Sequence, residues 1–145
     1  MIELKVKKLH PDAIIPTYAT DGAACFDLHA IEDSLIDDIE HPNEKVGTGL
    51  AFDIPQGWQI LVFPRSGIAF KNAVTLTNAV GVIDSDYKGE VCVLLSSLGG
   101  GNLKINKGDR IAQAQLVPVN RVRFIEVDNL TETKRGTGGF GSTGL

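Results

Sequence analysis

The sequence predicts a single all-β domain followed by a flexible C-terminal tail, and three observations predict it. Short runs rich in β-branched and aromatic residues recur along the chain. Gly, Pro and Asn punctuate those runs, as at Pro55–Gly57, Gly99–Asn102 and Asn106–Gly108. No segment carries three turns of helical period. At 145 residues the chain is one domain, long enough to bury a real core.

The elements follow in order. Ile2–Leu9 alternates, with Leu4 and Val6 set between charged residues. Val46–Ile54, Trp58–Phe63, Glu90–Leu95, Arg110–Val119 and Val122–Val127 read as strands. Ile31, Leu35 and Ile39 stand four apart among acidic residues, a spacing that a helix and two short strands joined by a turn satisfy equally. One short helix is expected at Ser66–Asn72, with Ser66 as its N-cap. There is no internal repeat, and no linker before about Leu130, so the domain is placed at 1–130 and the tail at 131–145.

Charge and cysteine usage narrow the function. Eighteen acidic residues against fourteen basic give a net charge of −4. The basic residues are scattered rather than striped, which argues against nucleic-acid binding but leaves room for a small anionic substrate. Cys25 and Cys92 lack C-x-x-C spacing and suit a reduced compartment. No leader opens the chain and no apolar run approaches ~18 residues, so a cytoplasmic protein without a membrane span is expected. A zinc site from Cys25, Asp27 and His29 is conceivable but disfavoured, because alternate residues of one strand share one face with too little reach to enclose a metal.

Five segments could carry chemistry. Arg135–Leu145 fits G-x-G-x-x-G at Gly136, Gly138 and Gly141, and in part a Walker loop. Both motifs need a helix after the last glycine, and too few residues follow Gly141. What remains is a tail able to fold its amides around an anion, with one cation, Arg135, and one aromatic, Phe140. Gly81–Val91 reads as two apolar strands flanking an acidic turn. Asp84, Asp86 and Gly89 match the first positions of a calcium loop, but Lys88 and Leu95 occupy ligand positions and no helices flank it. A carboxylate held at such a tip suits orienting and deprotonating a water, and Tyr87 could stack on a ring. Phe63–Lys71 would gather the free amides, the Ser66 hydroxyl and the Arg65 guanidinium into an oxyanion site. In Lys107–Gln113, Asp109 and Arg110 read as a structural ion pair, while Gln113 could point a donor into a pocket. Asp27 interrupts an apolar strand in Ala23–Leu28 and must be paired, hydrogen-bonded or near a metal.

Together, in this order and spacing, the segments Ala24–Leu28, Pro64–Lys71, Gly81–Glu90, Gly108–Gln113 and Arg135–Gly144 resemble the five motifs of the trimeric deoxyuridine triphosphatase (dUTPase) family. With Thr17–Thr20 and Pro118–Val119 the resemblance spans essentially the whole chain. It implies a jelly-roll-like β-sandwich assembled as a homotrimer, with active sites at subunit interfaces and the tail of one subunit reaching over another's site. The implied reaction is Mg²⁺-assisted hydrolysis of dUTP to dUMP and pyrophosphate, which keeps uracil out of DNA and supplies dUMP. By the same resemblance, Asp84 matches the catalytic aspartate, and Arg65, Ser66, Gly67 and Gln113 the phosphate contacts. Asn78, Gly81, Val82 and Ile83 match the uracil pocket, Tyr87 the wall against the deoxyribose, and Cys92 a further pocket wall. Asp27 is implied to hold Mg²⁺ through water, the ion sitting mainly on the triphosphate. Arg135, Phe140, Gly141, Ser142 and Thr143 are implied to close over the bound nucleotide. The sequence departs from the family at Cys25, where glycine is usual, and Glu32–Glu44 matches no motif. A deoxycytidine triphosphate deaminase shares the fold but uses a glutamate at the base, where this turn presents Asp84 and Tyr87. A non-catalytic nucleotide sensor on the same trimer is the reading from a different class.

Overall fold

The computed structural model describes residues 2–142 and Gly144. In chain order the elements are β1 (Lys5–Lys8), β2 (Phe26–His29), β3 (Ser34–Ile36), β4 (Asn43–Gly47), β5 (Leu50–Asp53), β6 (Trp58–Phe63), α1 (Ser66–Asn72), β7 (Val74–Leu76), β8 (Gly81–Ile83), β9 (Cys92–Ser97), β10 (Leu103–Ile105) and β11 (Arg110–Pro118). Every strand pairing is antiparallel. Two larger sheets run β2-β11-β6-β8 and β4-β9-β7, with β1-β5 and β3-β10 as small pairs beside them.

Period-two alternation turns one face of each large sheet inward. Phe26, Leu28, Ile60, Val62, Ile111 and Ala114 from the first sheet meet Val46, Val74, Leu76, Val93 and Leu95 from the second in one apolar cluster. This is the expected jelly-roll-like sandwich. Among the described residues no helix is long and apolar enough to cross a membrane.

Several boundaries follow from single residues. Val46–Ile54 divides at Gly49, whose φ of +64° is a left-handed corner that favours glycine. The buried Thr48 beside it donates its hydroxyl to the Val91 carbonyl at 2.6 Å, so β4 and β5 leave for different sheets. The Ile31–Ile39 ambiguity resolves to strand and turn. One Asp37 carboxylate oxygen accepts the amides of Ile39, Glu40 and His41, and this Asp-capped turn replaces helical bonding there. Those same bonds hold the Asp37 carboxyl below its ordinary pKa.

Three expectations are corrected. The helix spans Ser66–Asn72 as expected, but its N-cap is Arg65, in extended backbone with no side-chain cap bond; Ser66 is the first helical residue. The acidic turn after β8 is not a hairpin tip. β8 pairs with β6 and β9 with β4 and β7, so residues 84–91 cross from one sheet to the other. Val122–Val127 forms no strand: it pairs with no sheet edge of its own chain, and Phe124 is 92% exposed.

Ile60 lies under both neighbours of β6, opposite Leu116 and Ile83, and is 1% exposed. Ile60→Ala is expected to cost about 2–5 kcal/mol in chemical denaturation. A loss under about 1 kcal/mol would mean that β8 is not held through this contact.

Candidate active site

The first functional cluster is built where β2, β11 and the β6–α1 junction meet. Asp27 and Gln113 are cross-strand partners in register, and Gln113 also faces Phe63 on β6. Register slips between Arg110 and Ala112, a bulge that inserts Ile111 as an extra buried residue. Without it, Arg110 and Gln113, three apart, would point to opposite faces. The bulge turns both toward Asp27. Pro64 then ends β6 and swings Arg65 across the same opening.

The Asp27 carboxylate, 15% exposed, lies between two guanidiniums. Arg65 Nε stands 3.4 Å from Oδ1 and Arg110 Nη1 3.2 Å from Oδ2. Arg65 Nη1 also donates to the Arg110 carbonyl at 2.9 Å, which locks the two arginines together. Gln113 donates one amide N–H to the Pro64 carbonyl at 3.0 Å. Asp27, Arg65, Ser66, Gly67, Arg110 and Gln113 line one recess of about 300 Å³, and Cys25 forms part of its wall. With seven residues, α1 adds little dipole, so the guanidiniums carry the positive field. One carboxylate faces two cations here, so it offsets only one of them and leaves a net positive opening that suits a polyanion.

Arg110 is a site residue that sequence reasoning missed. Asp109 does not pair with it; the Asp109 carboxylate accepts the Asn106 amide and side chain instead. Only the bulge redirects Arg110, and nothing local in the sequence announces a bulge. His29 lies on the Asp27 face of β2 with its Nδ1 buried and without a partner. Burial pulls its pKa below the ordinary value, a shift that Asp27 opposes and the two arginines reinforce.

Asp84 lies elsewhere. It is exposed on the turn after β8 and lines a separate recess of about 640 Å³ with Trp58, Gln59, Ser85, Asp86, Val119 and Arg121. Its carbonyl accepts the Tyr87 amide at 3.2 Å, and Lys88 ties the turn to β5 through Asp53 at 2.8 Å. Asn78 stands in the tight turn before β8, and its side-chain amide lies close beside Gly81. Gly81 is buried against Val62, Val82 is 55% exposed, and Ile83 is half-buried. Cys92 sits in the other sheet, opposite Gly47. In the tail, Arg135 Nε donates to the Gly138 carbonyl, and Phe140 is fully exposed. The hydrogen bonds described for Arg135, Gly141 and Ser142 stay within the tail, so one chain does not bring them to either recess. Thr143 lies outside the described residues.

No group of three or more His, Cys, Asp or Glu residues among the described residues offers a metal site. Asp27 is engaged by two cations and cannot hold a divalent ion unaided. The donors present fit a metal that arrives with phosphate ligands of its own.

Fold and recesses together define an all-β protein with a cationic site suited to a phosphate-bearing ligand. The family profile described as dUTPase matches residues 11–144. The deoxyuridine 5'-triphosphate nucleotidohydrolase of Nautilia profundicola is 50% identical over 145 residues, covering 99% of each chain. That of Helicobacter hepaticus is 49% identical over 144 residues, covering 99% of this chain and 90% of its own. The solved dUTPase of Staphylococcus bacteriophage 80alpha with dUPNHPP matches with a TM-score of 0.86 at 26% identity, over 100% of both chains. The chain belongs to the dUTPase family.

Burial, and then the Asp27 charge, push the Cys25 thiol up from its ordinary pKa; burial, and then Glu90, do the same for Cys92. A raised pKa leaves little thiolate at neutral pH. Iodoacetamide should therefore react slowly with both at pH 7, with rates still climbing above pH 9.0. Pyrophosphate should protect Cys25 and spare Cys92 no reaction, read by peptide mass spectrometry. Equal protection of both would place the anion elsewhere.

Proposed function

We propose that this chain hydrolyses dUTP to dUMP and pyrophosphate by attack of water on the α-phosphorus, working as a homotrimer. One observation carries the reading: two guanidiniums, the Ser66 hydroxyl, the start of α1 and Gln113 share one anion recess in a chain of the dUTPase family. Arg65, Ser66, Gly67 and Gln113 hold the triphosphate, and Arg110 joins them. As phosphate enters, the arginines exchange part of their contact with Asp27 for phosphate oxygens. Mg²⁺ arriving on those oxygens would be held mainly by the phosphates, with Asp27 as the carboxylate nearest to it through water, and would supply charge neutralisation for the leaving pyrophosphate.

Asp84 takes the proton of the attacking water. Main-chain groups of Gly81–Ile83 and the Asn78 amide read the polar edge of uracil, Tyr87 packs on the deoxyribose, and Cys92 closes the pocket. Because Asp84 and the anion recess line different openings of one chain, they are joined when one subunit's turn lies against its neighbour's recess. The exposed apolar residues Val122, Phe124, Ile125 and Leu130 support such an assembly, since a neighbour would cover them. Residues 131–145 act as an arm beyond the 1–130 domain. Arm closure brings Phe140 over uracil and Arg135, Gly141, Ser142 and Thr143 to the phosphates, excluding water. The setting inferred is cytoplasmic, in keeping with two free cysteines.

Pyrophosphate release from dUTP, compared with dCTP, dTTP and UTP, tests the reaction; release from dUTP alone is expected, and equal release from dCTP would sink the uracil pocket. Asp84→Asn should retain nucleotide binding while turnover falls by roughly 10²–10⁴; near-full turnover would remove Asp84 as the base. A chain ending at Lys134 should sediment as a trimer with little turnover. Undiminished turnover would show the arm to be dispensable.

A further inference from the structure

Tyr87 does not simply project from its turn. Its amide closes the turn on the Asp84 carbonyl, and its hydroxyl donates to the Glu90 carbonyl at 2.9 Å. The ring therefore folds back along its own backbone and covers residue 89. A Cβ at Gly89 would lie 2.6 Å from the Tyr87 hydroxyl oxygen, 2.8 Å from Cζ and 3.2 Å from Cε2. Gly89 is not among the glycines of positive φ, so conformational freedom is not what the position demands. It demands empty space under the ring.

The surroundings are fixed while the ring is not. Glu90 is anchored by its own carboxylate, which accepts the Gly49 amide at 2.8 Å. Lys88 holds the other edge of the turn through Asp53 and the Ser85 carbonyl. Tyr87 itself is 47% exposed, so a methyl group at residue 89 displaces the ring outward and leaves the backbone in place.

We infer that Gly89 is a positioning residue that sets the Tyr87 ring, and through it the preference for deoxyribose over ribose; this rests on the reading of Tyr87 as the wall against the sugar. A displaced ring leaves the Glu90 carbonyl and no longer fills the space that a 2'-hydroxyl would need. The loss concerns discrimination, because neither the anion recess nor Asp84 moves with the ring.

The test is kcat/KM for dUTP and for UTP in the parent protein, Gly89→Ala, Tyr87→Ala and the double variant. Gly89→Ala is expected to fold and to lose about tenfold or more of the dUTP preference, the scale at which a pocket wall of one or two carbons discriminates. Adding Gly89→Ala to Tyr87→Ala should change the preference no further, since the ring through which it acts is gone. The inference is overturned if Tyr87→Ala loses the preference while Gly89→Ala keeps it, or if Gly89→Ala acts equally in both backgrounds. Should Tyr87→Ala keep the full preference, the assignment of Tyr87 to the sugar fails, and the inference with it. If Gly89→Ala alone does not fold, the double variant should, because the clash is absent; a double variant that also fails to fold overturns the steric argument.

Discussion

Both recesses depend on the pairing of β11. It is hydrogen-bonded on one edge to β2 and on the other to β6, and Ala112 and Ala114 within it are fully buried. Small side chains there let the opposing sheet approach closely, while the two ladders fix where each neighbour stands. Through β2 the strand sets Asp27 opposite Gln113. Through β6 it carries β8, and so the turn that presents Asp84. A slip of one residue in β11 would send Gln113 to the core and unmake the anion recess in one step.

Electrostatics in the recess are arranged for exchange. Asp27 is too enclosed to be a surface charge and too well paired to be an orphan. It keeps two guanidiniums close together where their mutual repulsion would otherwise spread them. An incoming polyanion meets donors already gathered and need not order them, which limits the side-chain entropy lost on binding. By contrast, Lys5 and Asp53 form a highly exposed pair, 3.9 Å apart, and such pairs contribute little to stability.

Much of this was legible in the sequence, for identifiable reasons. β6 and β11 were visible because apolar alternation and β-branched content are local properties, and Pro64 marked the end of β6 by its missing amide. The grouping of Arg65, Ser66, Gly67, Gln113 and Asp27 followed from motifs whose spacing resembles a family. What escaped was set at a distance. The β11 bulge that redirects Arg110 and the passage of residues 84–91 between sheets are decided by tertiary packing. Val122–Val127 has the composition of a strand, but a strand needs an edge, and composition does not supply one.

That segment has a further consequence for the life of a newly made chain. Phe124 and Leu130, 92% and 86% exposed, stand on an irregular ribbon that belongs to no strand. Such a ribbon is adhesive, and it does not distinguish a proper mate from any other sticky surface. Solubility of the newborn polypeptide is therefore sensitive to how long that ribbon stays uncovered.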